Sequence, residues 1–158
     1  MEVHTVGKVG QLFAGVGIDV QHPGATNVRA LSETTELMRA LRSGFVFTNL
    51  VETDQVYGHR HDVAGFHRAL REIDAAVAEW AALLGPEDLL VLTADHGCDP
   101  TSPRTDHTRE HAPLLAAFAG HRSRRHDGSL ADVGASALAW LGGVRTLASA
   151  GLPGESFV

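Results

Sequence analysis

The most regular hydrophobic pattern in the chain is an apolar stripe near its middle. Apolar residues recur there at alternating spacings of three and four positions: Val63, Phe66, Leu70, Ile73, Val77, Trp80 and Leu84. That period is typical of an α-helix with one buried face, so the stripe predicts a helix of about six turns whose apolar side belongs to the core. Asp62 is placed to cap its N-terminus, and Gly85-Pro86 stops it.

Shorter apolar runs on either side of this helix predict strands. The run at 45–51 is rich in strand-forming residues, and the runs at 88–94 and 114–118 have the length of buried strands. Because helices alternate with buried strands along the chain, we predict an α/β fold. Its sheet is expected to be mixed and mostly parallel, with helices on both faces.

Capping residues delimit the remaining predicted helices. A short helix is predicted around residues 8–13, and a longer one over 33–42 with Ser32 as its N-cap. Near the C-terminus, Ser129 and Asp132 have the spacing of a capping box, which predicts that a last helix opens there.

Composition limits the class of protein. The 158 residues fit one ordinary domain, and an apolar fraction of 44% is enough for a hydrophobic core. We expect neither a membrane span nor a secretory leader, because no apolar run is long enough and the N-terminus lacks a basic region. The net charge of −6 argues against nucleic acid as a partner, and the single cysteine, Cys98, fits a cytoplasmic location.

Potential metal ligands follow two of the predicted strands. Asp95 and His96 stand side by side where one strand ends, and Asp54 precedes His59 by five positions on a predicted loop that Gly58 lets bend. In open α/β sheets, ligands gather at the carboxyl ends of strands. For each pair taken alone the alternative is structural: a chance pair in a solvated loop, or a capping aspartate beside a surface histidine.

A third polar segment, residues 105–111, runs directly into an apolar strand. His107 is its candidate ligand, and Arg109 could bind a carboxylate or phosphate in bidentate fashion. An ion pair of Arg109 with Asp106 or Glu110 is the structural alternative. Two carboxylates and three imidazoles suit Mn or Zn better than Mg or Ca, and two such ions about 3.5–4 Å apart would suit phosphoryl transfer.

Two stretches of the chain resemble a known family. The strings VFTNLVETDQVYGHRHDVAGF and LLVLTADHGCDPTSPRTDHTREHAPLL are similar to phosphopentomutases, which belong to the alkaline phosphatase superfamily. The resemblance includes the Asp-x4-His pair and places His107 eleven residues after His96. It extends over nearly the whole chain and implies an alkaline-phosphatase-like core.

The resemblance also implies roles for individual residues. Asp54, His59 and His107 would hold one Mn²⁺, and Asp95 and His96 would help hold a second. Lys8 and Arg109 are tentative phosphate-binding residues. The implied reaction interconverts ribose 1-phosphate and ribose 5-phosphate, or the deoxyribose forms, through a phosphorylated threonine, which makes the protein an isomerase acting by intramolecular phosphate transfer.

The resemblance further implies that residues 1–158 are only the C-terminal part of a metalloenzyme core. The N-terminal core segment, the threonine nucleophile and the cap domain that binds the sugar phosphate would be absent, so no catalytic residue is assigned. We therefore expect poor solubility, self-association or dependence on a missing N-terminal half as partner, and no activity from this chain alone. The alternatives are a metal-dependent phosphotransferase resembling phosphoglycerate mutase, and a non-catalytic remnant that at most binds metal.

Overall fold

The computed structural model describes residues 1–109, 111–120, 124–142 and 151–158. They form two compact units: residues 1–83 with 98–109, and the described residues of 84–97 with 110–158. Each unit combines strands with helices, and the predicted α/β class with a mostly parallel sheet is confirmed. None of the helices in these ranges is long and apolar enough to cross a membrane.

The first unit is built on a parallel sheet of three strands. They are β1 (Val3–Val6), β2 (Val20–His22) and β3 (Phe45–Thr48), and β1 lies in the centre. The strand predicted over 45–51 is therefore shorter than expected. Its pairing with β1 ends at Thr48, and the next amide, that of Asn49, closes the edge by donating to the carbonyl oxygen of Val6 at 3.0 Å.

Each of the first two strands of this sheet is followed by a helix. The short helix α1 (Val9–Leu12) lies where residues 8–13 predicted one. Helix α2 (Asn27–Ala40) starts earlier than predicted, and its N-cap is Thr26, whose hydroxyl oxygen accepts a hydrogen bond from the Arg29 amide. The predicted cap, Ser32, was wrong because the helix has already begun at Asn27 and buries Ala30 and Leu31 directly before Ser32.

The central helix α3 (Val63–Leu83) begins where the stripe predicted it. Asp62 caps it, since its Oδ1 accepts a hydrogen bond from the Gly65 amide at 2.8 Å. The prediction that the whole stripe is buried was wrong. Trp80 is 4% exposed, but Val63 and Leu70 are each 46% exposed, because only part of this helix packs against α2.

The second unit pairs two antiparallel strands with one helix. Strands β4 (Leu89–Thr93) and β5 (Leu114–Phe118) lie where the apolar runs predicted them. Helix α4 (Ala131–Trp140) packs on β4, and its Trp140 ring meets the ring of Phe118 edge-on at a centroid distance of 5.4 Å.

The start of α4 uses half of the predicted capping box. The Asp132 carboxylate accepts a hydrogen bond from the Ser129 amide at 3.1 Å, as a capping box requires. The Ser129 hydroxyl oxygen instead accepts from the Ala131 amide at 3.0 Å, one position earlier than expected. The second Asp132 oxygen is thereby left for the chain near the C-terminus, where it accepts from the Glu155 amide.

Candidate metal centre

A π-helical turn brings Asp54 and His59 together. It spans Thr53–Gly58, and we call it the π turn. The prediction of a loop here was wrong. Five residues apart on an α-helix, two side chains would point about 140° away from each other. In the π turn the His59 amide donates to the Asp54 carbonyl oxygen at 3.1 Å, and this wider turn places the two side chains on one side.

Gly58 is needed for a close approach, not for an unusual backbone angle. It is absent from the residues with positive φ, so it does not supply the bend that the sequence suggested. A Cβ at this position would collide with Cys98 Sγ and lie 3.0 Å from the Thr53 carbonyl oxygen. Burial, and then the negative charges of Asp54 and Asp99, raise the pKa of the Cys98 thiol, so it fits a packing role better than a ligand role.

Two imidazole nitrogens of the first unit lie close to one carboxylate oxygen. Asp54 Oδ1 lies 3.3 Å from His59 Nε2 and 3.4 Å from His107 Nε2. The two imidazole rings are 5.0 Å apart between centroids. Sequence reasoning predicted these three as a set, and the fold brings residues 53 positions apart to the same point.

The hydrogen bond on the far side of His59 fixes which ring nitrogen faces Asp54 as an acceptor. His59 Nδ1 lies 2.6 Å from the Thr105 carbonyl oxygen, and because a carbonyl only accepts, Nδ1 carries the proton. In the neutral ring Nε2 then presents a lone pair. A backbone carbonyl that orients an imidazole in this way is the usual outer support of a metal-binding histidine.

The site therefore fits a cation. Asp54 Oδ1 is buried and accepts no hydrogen bond from the described residues, although it faces His59 Nε2 at 3.3 Å. Two acceptor atoms at this separation repel each other unless a positive charge lies between them. One carboxylate oxygen with two imidazole nitrogens is a donor set that suits Mn or Zn.

The other two candidate ligands lie in the second unit, just after β4. Asp95 Oδ1 is 3.5 Å from His96 Nε2, and the Asp95 side chain is 88% exposed against 26% for His96. His96 Nδ1 lies 3.1 Å from the Gly97 carbonyl oxygen, which again leaves Nε2 as the outward nitrogen. The end of the strand thus brings the two side chains together, and their role as ligands of one ion stays a prediction.

The two residues predicted to bind phosphate have different surroundings. Lys8 is exposed, and its ammonium donates to Gln55 Oε1 at 2.9 Å, which places the charge beside the π turn. Arg109 is exposed too, and it makes no ion pair with Asp106, the described one of the two carboxylates considered for it.

Sequence reasoning missed the groups that hold the ligands in place. The Thr105 contact uses a backbone carbonyl, which leaves no trace in residue identity. Glu52 and Asn27 bond to each other at the entry to the π turn, and they come from distant segments. The signal that the sequence did offer was Gln55, a polar residue next to Asp54, whose side chain accepts a hydrogen bond from Lys8.

Known proteins are similar in sequence to most of this chain. The phosphopentomutase of Caldanaerobacter subterraneus subsp. tengcongensis is 48% identical over 139 residues, which are 85% of this chain and 35% of that protein. The phosphopentomutase of Acetivibrio thermocellus is 42% identical over 160 residues, 99% of this chain and 40% of its own length. The similarity to phosphopentomutases that the motifs indicated is thereby confirmed.

The relatives are much longer than this chain. It spans about a third of their length, 35% and 36% for the Caldanaerobacter protein and that of Anaeromyxobacter dehalogenans. A family model described as the metalloenzyme superfamily matches residues 2–143, which include all five candidate metal ligands. The chain belongs to the metalloenzyme superfamily.

Proposed function

We propose that this chain supplies the metal-binding part of a phosphopentomutase-type enzyme. The reaction is the interconversion of ribose 1-phosphate and ribose 5-phosphate, or of the corresponding deoxyribose phosphates. The observation that carries the proposal is the convergence of His59 and His107 on a buried Asp54 oxygen that lacks a hydrogen bond from the described residues. The similarity of most of the chain to proteins named phosphopentomutase supports the choice of substrate.

The proposed cofactor is Mn²⁺, two ions in the complete enzyme. Asp54, His59 and His107 would hold one ion, and Asp95 with His96 would contribute to the other. When bound, these cations would neutralise charge on the transferred phosphoryl group, which is the main requirement in phosphoryl transfer. The mixed oxygen and nitrogen donor set supports Mn²⁺ over Mg²⁺, which prefers oxygen ligands alone.

The remaining residues of the proposal bind and orient the substrate phosphate. Lys8, whose ammonium lies beside the π turn, would contact the phosphate, and Arg109 would bind it through two parallel hydrogen bonds. The phosphothreonine of the reaction would come from a segment outside this chain, so we expect the chain to be inactive alone. The free Cys98 is compatible with a cytoplasmic location.

Calorimetric titration with Mn²⁺ tests the metal site. We expect the wild-type chain to bind with a measurable affinity that a His59→Ala, His107→Ala double variant loses. The matched control is a His67→Ala, His111→Ala variant, which removes two exposed imidazoles outside the site and should bind like wild type. Equal binding by both double variants would contradict the assignment of the ligands.

Complementation tests the reaction itself. The chain would be mixed with the N-terminal part of a longer phosphopentomutase, and the conversion of ribose 1-phosphate to ribose 5-phosphate would be followed. We expect activity only when both parts and Mn²⁺ are present, and only if Asp54 and His59 are intact. A mixture that binds Mn²⁺ yet moves no phosphate would leave the chain as a metal-binding protein and would contradict the enzymatic proposal.

A further inference from the structure

Two residues form a reciprocal pair of hydrogen bonds at the entry to the π turn. The Asn27 amide donates to Glu52 Oε2 at 2.6 Å, and the Glu52 amide donates to Asn27 Oδ1 at 3.1 Å. We call this pair the clasp. Asn27 is 1% exposed, so the clasp joins the buried first residue of α2 to the residue that immediately precedes the π turn.

The clasp uses a general property of helix N-termini. The first turn of α2 contains no acidic residue, and its Asn27 amide has no partner within the helix. The Glu52 carboxylate supplies both the missing acceptor and the negative charge that the helix dipole favours. At 2.6 Å the bond has the short length of a charge-assisted hydrogen bond, so it is among the stronger contacts made by the π turn.

We propose that Glu52 and Asn27 are positioning residues that hold the π turn, and hence Asp54 and His59, against the rigid helix α2. The inference rests on the proposed metal site for its functional consequence. Glu52 stands two positions before Asp54, so a carboxylate fixed on α2 restricts the backbone that aims the ligand oxygen. Outer contacts of this kind commonly change metal affinity by about 10–100-fold when they are removed.

Two other hydrogen bonds of the turn do not join it to α2. The Gln55 amide bonds to the Val51 carbonyl oxygen at 2.9 Å, but this bond lies within the same segment and moves with it. The Lys8 contact with Gln55 comes from an exposed, flexible side chain. Among the residues that the structure describes, Glu52 and Asn27 are the pair whose two hydrogen bonds join the entry of the turn to a buried residue of α2.

Amide hydrogen exchange on the metal-free chain tests the clasp without any metal or activity. We expect Glu52→Ala to make exchange at the Gln55 and His59 amides at least several-fold faster, while amides in the middle of α3 are unchanged. Glu52→Gln keeps an acceptor at the same reach and should restore most of the protection. Thr26→Ala is the control, because it weakens the cap of α2 but leaves the clasp in place.

The functional consequence is measured with Co²⁺, whose visible absorption reports the geometry of its ligands. We expect Glu52→Ala to weaken Co²⁺ binding about tenfold or more and to alter the spectrum, whereas Thr26→Ala lowers only the melting temperature. Equal effects of Glu52→Ala and Thr26→Ala on exchange and on binding would overturn the proposal. A wild-type chain that binds no Co²⁺ would contradict the proposed metal site instead, and the exchange rates alone would then decide whether the clasp holds the turn.

Discussion

At the scale of single residues, the metal-free site contains an unfavourable contact between His59 and Asp54. The proton on His59 Nδ1 is donated to the Thr105 carbonyl oxygen, so when the imidazole is neutral Nε2 and Asp54 Oδ1 face each other as two acceptors at 3.3 Å. A buried carboxylate oxygen without a donor reduces stability in the absence of a cation. Reduced stability of the empty site is expected wherever a group of side chains is arranged to bind an ion.

This arrangement predicts opposite effects of Asp54→Asn on stability and on binding. The amide has nearly the shape of the carboxylate, and its NH₂ group can donate to His59 Nε2. We therefore expect the metal-free variant to be more stable than wild type by about 0.5–1.5 kcal/mol in urea unfolding at pH 8, where ordinary imidazole is neutral. Its affinity for Mn²⁺ should fall by about 100-fold or more, because an anionic ligand is lost.

The two measurements must diverge for this interpretation to stand. A variant that loses stability and affinity together would indicate that Asp54 is an ordinary structural carboxylate. Asp74→Asn, an exposed carboxylate on α3, serves as the matched control and should change neither quantity.

At the scale of elements, burial on α3 depends on which neighbour covers each position. The Trp80 indole lies between α2 and α3 and donates to Thr35 Oγ1 at 2.8 Å, and Thr35 in turn donates to the Leu31 carbonyl oxygen. Leu70 belongs to the same apolar stripe but is 46% exposed. Helical periodicity treats the two positions as equivalent, whereas packing does not.

Substitutions on α3 should reveal this difference. We expect Trp80→Ala to cost about 3–5 kcal/mol of unfolding free energy, because it empties a buried position between two helices. Trp80→Phe should cost about 0.5–1.5 kcal/mol for the lost hydrogen bond to Thr35, besides any change in packing. Leu70→Ala should cost clearly less than Trp80→Ala in the same denaturation experiment, and equal costs would mean that the whole stripe is buried in solution.

Elements whose signals are local could be predicted from the sequence, and those that depend on distant partners could not. The start of α3 follows from Asp62, and β4 and β5 follow from short apolar runs. The start of α2 was placed too late, because Ser32 is as good a cap by itself as Thr26 and only burial against the sheet decides between them. The π turn was missed because a one-residue widening of a helix has no sequence period of its own.

The candidate site followed the same division. Asp54, His59 and His107 could be grouped from residue type and from resemblance, and the fold brings each imidazole Nε2 within 3.4 Å of Asp54 Oδ1. The supports of the site could not be predicted, because the Thr105 carbonyl is backbone and the clasp joins residues 25 positions apart. The type of a metal-binding residue can be read from the sequence, but the contacts that orient its side chain come from distant segments.

At the scale of the whole molecule, the exposed apolar surface bears on how the chain behaves in solution. Leu12 and Val16 are 84% and 78% exposed, and both lie near the start of the first unit. We therefore still predict self-association, which gel filtration would detect as an apparent mass that rises with protein concentration. Apolar side chains left in solvent favour association in proportion to the area that contact would bury.

The stability of the second unit should depend on pH because of Asp132, whose carboxylate joins the C-terminal residues to α4. This carboxylate is 5% exposed, and it accepts hydrogen bonds from the Glu155 amide at 2.9 Å and from His126 Nε2 at 2.8 Å. The Glu155 amide first, and then the His126 side chain, hold the pKa of Asp132 below its ordinary value. The Phe157 amide separately donates to Ser136 Oγ on the same helix at 2.9 Å, so protonation of Asp132 would weaken one of two bonds that join the terminal residues to α4.

The sign of the effect follows from the lowered pKa. A carboxylate with a lower pKa in the folded state stabilises the fold fully above its unfolded value of about 3.9 and loses that contribution as the pH falls through the folded value. We expect the urea midpoint of wild type to fall more between pH 5 and pH 3 than that of Asp132→Asn, so that the two converge in acid. Asp127→Asn removes an exposed carboxylate of the same unit and should track wild type at every pH. If Asp132→Asn instead runs parallel to wild type down to pH 3, the terminal residues are held by Ser136 and packing, and the charge of Asp132 contributes nothing to holding them.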